Sequence, residues 1–141
     1  MKKKLKFLVV EDEFISRTLL MEMLSPHGNC QTVINGKDAV EKIIPTLREP
    51  EKRFDLVCLD IMMPEMDGHQ VLREVRHQER KMGLGAADTT KIMMVTALDD
   101  AQNMMEALVV GKCQAYITKP VSMNMLEDHL RHLHLINNNE H

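Results

Sequence analysis

Leu56-Val57-Cys58-Leu59 is an uninterrupted apolar run that stops at a carboxylate, Asp60, and Pro64 and Gly68 follow within eight residues of it. A run of this length and composition suits a strand buried on both faces, and the proline and glycine turn the chain into a rigid loop instead of extending the strand. Asp60 is thereby predicted at the mouth of a buried strand. An acid in such a place ordinarily caps a turn or a helix, so its meaning depends on what else the chain brings to the same edge.

The pattern recurs. Leu5-Lys6-Phe7-Leu8-Val9-Val10 stops at Glu11-Asp12-Glu13, Ile92-Met93-Met94-Val95 ends at Thr96, and Ala115-Tyr116-Ile117-Thr118 ends at Lys119-Pro120. A more polar strand, Cys30 to Ile34, closes on the Asn35-Gly36 turn pair. Helical spacing fills the intervals. Ile15, Leu19, Leu20, Met23 and Leu24 make one apolar face, stopped by Pro26 and Gly28. Ala39, Val40, Ile43, Ile44 and Leu47 make a second over 37–48, which Pro45 must either end or kink. Val71, Leu72 and Val75 face inward over 68–81. Met104, Met105, Leu108 and Val109 do so in a fourth helix capped by Asp99 and followed by Gly111, and Met123, Leu126, Leu130 and Leu133 in a fifth capped by Ser122. Residues 82–90 lack periodicity and contain Gly83 and Gly85, which predicts a flexible connection, and 137–141 is a polar tail.

Five alternations of strand and helix predict an α/β fold, a parallel sheet covered on both faces. The first, third and fourth strands are the most apolar and belong in the centre, whereas Gln31 and Thr32 in the second and Thr118 in the fifth suit edges. The resulting order, 2-1-3-4-5, reverses direction between strands 1 and 3 and leaves a crevice outside their carboxyl ends. Composition fits one domain over 1–141, with a core from about residue 4 to 136: 141 residues, 44% of them hydrophobic, can bury about two thirds of the unfolded surface. A net charge of −3, with basic residues spread apart from Lys2-Lys3-Lys4, gives no reason to expect nucleic acid as a partner. No apolar span long enough for a membrane appears, and the widely spaced Cys30, Cys58 and Cys113 suit reduced, packed thiols, so a cytoplasmic protein is expected. The thirteen methionines are expected mostly at core positions. His129, His132 and His134 are read as favourable charge at the end of the last helix.

In a parallel sheet the carboxyl ends of the strands share one edge, so Glu11, Asp12, Asp60, Thr96 and Lys119 converge. Clustered carboxylates repel one another, and a hard divalent cation with oxygen ligands relieves them, which predicts Mg²⁺. Asp12 and Asp60 are the expected direct ligands, with Glu11 acting through water and the Met62 backbone carbonyl completing the protein's share. A carboxylate so held can attack phosphorus and form an aspartyl phosphate. Asp60 is the expected nucleophile, with Lys119 and the Thr96 hydroxyl meeting the phosphoryl oxygens.

Taken together, Glu11-Asp12, Asp60-x-x-Met63-Pro64-x-Met66-Asp67-Gly68, Thr96-Ala97 and Lys119-Pro120 resemble the receiver domain of two-component response regulators, in its single-domain, chemotaxis-type (CheY-like) form. The resemblance covers nearly the whole chain. It implies a flavodoxin-like fold, Mg²⁺-dependent phosphorylation of Asp60 by a sensor histidine kinase or phosphotransfer protein, and a Lys119-Pro120 bond that is typically cis. It also implies a switch in which Thr96 is drawn toward the phosphoryl group and Tyr116 rotates inward. The face of helix 4, strand 5 and helix 5 would then report to a downstream protein. With no output domain expected after the last helix, a stand-alone phosphoacceptor that signals by contact is the first reading, and it would catalyse only its own phosphorylation and dephosphorylation. Two alternatives compete: an interaction module independent of phosphorylation, and a phosphatase working through an aspartyl phosphate. Haloacid-dehalogenase-like phosphatases carry a second acid two residues after the nucleophile, where this chain has Met62.

Overall fold

The structure, a computed structural model, describes residues 4–138, so Lys2, Lys3 and tail residues 139–141 lie outside the described residues. Strands β1 (Leu5–Val10), β2 (Gly28–Val33), β3 (Leu56–Leu59), β4 (Ile92–Thr96) and β5 (Ala115–Thr118) form one parallel sheet in the order β2-β1-β3-β4-β5. Helices α1 (Phe14–Leu24), α2 (Gly36–Ile43), α3 (Gly68–Lys81), α4 (Ala101–Met105) and α5 (Met123–His132) cover it. Side chains alternate across the sheet, so each strand feeds two cores. Leu8, Val10, Val57, Leu59, Ile92 and Met94 pack with α2, α3 and the continuation of α4. Phe7, Val9, Cys58, Met93, Val95 and Ile117 pack with Leu20 and Leu24 of α1 and Leu126 and Leu130 of α5. This is the predicted flavodoxin-like arrangement, with the polar strands at the edges.

Strand register sets the site. Val10 lies beside Leu59, and the Asp60 amide donates to the Val10 carbonyl at 3.1 Å, so Glu11 and Asp60 leave the sheet at one level. Asp67 then starts α3 with a capping box, accepting from the Gln70 amide while the Gln70 side chain accepts from the Asp67 amide. Gly68 is obligatory here: a Cβ on it would lie 2.4 Å from the Asp60 carbonyl oxygen. Both β3 and its following helix therefore fix the backbone of Asp60.

Several boundaries and faces differ from expectation. Gly28 opens β2 instead of ending α1, and a Cβ there would strike the Leu5 carbonyl oxygen of the neighbouring strand at 2.4 Å. The third strand, expected over 54–60, is shorter, and Asp60 stands just beyond it. Pro45 resolves the question over 37–48 by tightening the chain into a 3-10 turn, Ile44–Thr46, directly after α2. Asp100, not Asp99, caps α4, accepting from the Asn103 amide. On α1, Ile15 and Leu19 are exposed, and α1 is held by Leu20 and Leu24. Beyond α4 the chain widens into a π turn, Glu106–Val110, closed by the Gly111 amide on the Glu106 carbonyl. Met105, Leu108 and Val109 consequently point to solvent, Met104 is half-buried, and Ala107 is the buried residue of that turn. Of the methionines, Met63, Met93 and Met94 are buried, whereas Met21, Met62, Met105 and Met125 are exposed. The His129 imidazole is pushed to lower pKa by burial and by His132, which opposes the favourable helix-end charge expected of it.

The connection after α3 is tied down. Buried Arg76 donates to Glu79 at 2.7 Å, to the carbonyls of Thr90, Gly111 and Lys112, and to the Gln114 side chain. Glu79, 1% exposed, in turn accepts from the Thr90 amide at 2.6 Å. One ion pair thus joins α3, the 82–90 segment and the turn into β5, and a 3-10 turn at Ala86–Asp88 orders the segment further.

Candidate functional site

Glu11 and Asp60 are 1% and 6% exposed, while the neighbouring Asp12 is exposed. One carboxylate oxygen from each of the three lies within 4.8 Å of the others. The Lys119 ammonium reaches in from the end of β5, donating to Glu11 Oε1 and to Asp60 Oδ2, the latter at 3.1 Å. Asp60 Oδ1 accepts from the Met62 amide at 3.2 Å, and Glu11 Oε2 from the Glu13 amide at 3.2 Å. The two buried acids are thus oriented by backbone donors on one side and share one cation on the other. Asp12 is left open to solvent beside them.

Burial raises the Glu11 carboxyl above its ordinary pKa, and the charge of Asp60 adds to this, against the pull of Lys119 and the Glu13 amide. Burial alone would lower the Lys119 ammonium. Its hydrogen bond to Glu11 and the charge of Asp60 outweigh that effect and raise it. The lysine therefore stays charged at neutral pH and neutralises part of a cluster that otherwise carries three acids.

The same edge holds the remaining predicted residues. Thr96, fully buried, closes β4, and its hydroxyl accepts from the Leu98 amide at 3.4 Å. Tyr116 packs against the core formed with α2 and α3, and its hydroxyl donates to the Leu98 carbonyl at 2.6 Å. Burial, followed by the charge of Asp100, pushes its phenol up to about 12, so the hydroxyl keeps its proton. The Lys119-Pro120 peptide bond is cis, and the Lys119 amide donates to the Thr96 carbonyl at 2.8 Å. The fold brings Glu11, Asp12, Asp60 and Lys119 into one cluster. Thr96 and Tyr116 meet instead at Leu98, on the turn beside it. Met62 meets Asp60 through its amide, and its side chain is exposed.

Sequence reasoning did not single out His69, Arg76, Glu79 or Asn103. Arg76 and Glu79 extend the helical stripe of Leu72 and Val75, so charged residues on a face that otherwise reads as core were the available signal. His69 lies on the same side of α3, one turn before Leu72 and two turns before Arg76.

Oxygen donors in a half-open cluster suit a hard cation that retains water, and one acid already exposed to solvent leaves a path to it. The donor set therefore fits Mg²⁺. A doubly wound sheet whose switch-point crevice gathers three acids and a lysine places the chain in the class of flavodoxin-like α/β proteins with an acidic site at the carboxyl edge. The family comparison gives the particular member of that class: residues 7–131 match the response regulator receiver domain, and the chain belongs to that family of two-component signalling domains. Among curated proteins it is 33% identical over 119 residues to the regulatory protein VanRB of Enterococcus faecalis, covering 84% of this chain and 47% of that one. It is 35% identical over 131 residues to the probable transcriptional regulator ycf27 of Cyanophora paradoxa, covering 92% and 48%. The chain thus spans about half the length of these curated relatives. Among solved structures, the receiver domain of the histidine kinase CKI1 from Arabidopsis thaliana, complexed with Mg²⁺ and BeF₃⁻, superposes with a TM-score of 0.77 at 29% identity, covering 92% of this chain and 89% of that one. Among the described residues no helix is long and apolar enough to cross a membrane.

Proposed function

We propose that Asp60 is the phosphoacceptor of a receiver module spanning 1–141, loaded in a Mg²⁺-dependent reaction by a sensor histidine kinase or phosphotransfer protein in the cytoplasm. The observation that carries this reading is the Lys119 ammonium held between Glu11 and Asp60 with Asp12 open beside them. An Asp60 carboxylate oxygen attacks the phosphorus of the donor. The new O–P bond forms as the bond to the donor's imidazole nitrogen breaks, and that nitrogen leaves with its electron pair. Lys119 is placed to follow the negative charge from Asp60 to the phosphoryl oxygens, because it already contacts Asp60 Oδ2. Asp12 and Asp60 would hold Mg²⁺ directly, Glu11 through water, and the Met62 carbonyl would complete the set. Bound there, Mg²⁺ supplies charge neutralisation for the incoming phosphoryl group.

Loss of the phosphoryl group to water would complete the module's own cycle. Thr96, drawn toward the phosphoryl oxygens, would carry the change to Leu98 and Tyr116, and α4, β5 and α5 would present it to a downstream protein. The CheX–CheY complex from Borrelia burgdorferi, solved with BeF₃⁻ and Mg²⁺, shares the fold at a TM-score of 0.75 and shows one such domain engaged by a protein. The exposed, apolar Met62 two residues after Asp60 counts against a phosphatase that needs an acid there.

The test is intact mass after incubation with acetyl phosphate, with and without Mg²⁺. An adduct of about 80 Da, dependent on Mg²⁺, absent in Asp60→Asn and removed by hydroxylamine, is the expected result. A folded, Mg²⁺-binding protein that accepts nothing from acetyl phosphate or from a phosphorylated kinase would overturn the assignment in favour of a phosphorylation-independent interaction module.

A further inference from the structure

His69 lies one residue after Gly68, whose backbone is pressed against the Asp60 carbonyl and whose amide donates to the Ile61 carbonyl at 2.9 Å. The imidazole is 6% exposed and crosses from α3 to α4, where its Nε2 is 2.8 Å from Asn103 Oδ1. The Asn103 amide nitrogen is already committed, donating to Asp100 Oδ1 at 2.8 Å, while its backbone amide donates to Asp100 Oδ2 at 3.0 Å. Asn103 can therefore meet His69 only as an acceptor, which places a proton on His69 Nε2, while Nδ1 is buried without a partner. An imidazole that leaves one ring nitrogen unsatisfied in order to reach α4 is under-compensated unless that reach is its purpose.

We propose that His69 is a positioning residue that clamps the first turn of α4 to the first turn of α3 and thereby holds the β4–α4 turn in the arrangement seen here. This rests on the reading of Asp60 as phosphoacceptor and Tyr116 as responder. The connection is continuous: Asp60 backbone to Gly68, His69 to Asn103, Asn103 to the Asp100 cap. Asp100 borders the turn in which the Leu98 carbonyl accepts from the Tyr116 hydroxyl and the Leu98 amide donates to the Thr96 hydroxyl. α4 needs such a clamp. It is five residues of α-helix running into a π turn whose buried side chain is Ala107, so few of its own side chains anchor it to the sheet. Because Tyr116 is packed inward in this arrangement, the clamp favours the state that phosphorylation draws on.

The test compares the full chain with His69→Leu and with His69→Gln, whose amide can still donate to Asn103. Amide hydrogen exchange in the unphosphorylated protein is expected to rise about tenfold across 101–107 in His69→Leu, with α2 and α5 unchanged, and to return toward wild type in His69→Gln. Tyr116 is the sole tyrosine and there is no tryptophan, so intrinsic fluorescence reads its environment directly during titration with beryllofluoride and Mg²⁺. The midpoint is expected about fivefold higher in His69→Leu and restored in His69→Gln. Should His69→Leu fold poorly, Asn103→Ala removes the clamp from the exposed side and must loosen α4 alike. Unchanged exchange in α4, or a glutamine variant no better than leucine, overturns the clamp. A normal Asp60 adduct in the same samples leaves the phosphoacceptor reading standing, whereas an absent adduct with loosened α4 condemns that reading and spares the clamp.

Discussion

Cys58 and Asp60 are two residues apart, yet they lie in opposite environments, and the difference shows what each side chain contributes. The Cys58 thiol is 1% exposed between α1 and α5, and burial, with Cys30 adding to it, pushes it from 9.0 up to about 12. A thiol whose folded pKa is raised stabilises the fold fully below pH 9 and loses that contribution as pH climbs toward 12, because the unfolded chain ionises first. The whole effect is on the order of 4 kcal/mol. Cys58→Val is therefore expected to fold at neutral pH and to lose stability less steeply than wild type above pH 9, as read by urea denaturation across the alkaline range. Parallel slopes would show that Cys58 does not limit alkaline stability. Gly68 is the second decisive residue. Gly68→Ala forces a methyl group onto a backbone oxygen of Asp60, so a loss of about 1–3 kcal/mol and slower phosphorylation from acetyl phosphate are expected together. A variant that is destabilised but labelled at the wild-type rate would separate the helix packing from the acceptor's placement. Asp60 was legible in the sequence because a strand end dictates where it goes. His69 was not, because a histidine among apolar helical positions gives no hint of which neighbour it reaches.

Elements were read well where one physical pattern governs them and poorly where two compete. α3 has the predicted bounds because the capping box at Asp67 and the two-residue stop at Met82-Gly83 are both local. α4 was misread because a 3.6-residue period was projected through a stretch that winds as a π turn, which rotates Leu108 and Val109 out of the predicted face. Periodicity located α1 but could not say which stripe meets the sheet, so Ile15 and Leu19 were assigned inward and lie outward. The 82–90 connection looked flexible because its own sequence carries no order. Its order is imported from Arg76 and Glu79. Removing one partner of that buried pair strands the other, so Arg76→Ala is expected to cost about 3–5 kcal/mol in urea denaturation. The double replacement Arg76→Met with Glu79→Leu is expected to recover most of the loss, since it removes both charges and keeps the volume. Recovery limited to a small fraction would mean that the carbonyls of Thr90, Gly111 and Lys112 need the guanidinium more than Glu79 does.

At the scale of the molecule, the sheet separates stability from chemistry. Two apolar layers lie on its faces, and the acids lie on its carboxyl edge, outside both. That separation is why fold class and strand order could be read from apolar ranking alone, and why the acid cluster could be read from topology without any knowledge of side-chain contacts. The contacts themselves, Lys119 bridging Glu11 and Asp60 above all, required coordinates, because sequence fixes which residues reach an edge and not how they share it. The bridge also predicts how folding responds to metal. Lys119 already offsets the repulsion between the two buried acids, so the chain does not need a cation to fold, and chelation by EDTA is expected to leave a cooperative thermal transition. Mg²⁺ binds the folded cluster and not the dispersed acids of the unfolded chain. At a hundredfold excess over its dissociation constant it therefore adds about 2.7 kcal/mol and raises Tm by roughly 5–10 °C. Asp12→Ala removes the exposed ligand without disturbing either core, so it should keep the melting temperature of the metal-free protein and abolish the Mg²⁺-induced rise. An undiminished rise in that variant would place the cation away from the crevice between β1 and β3.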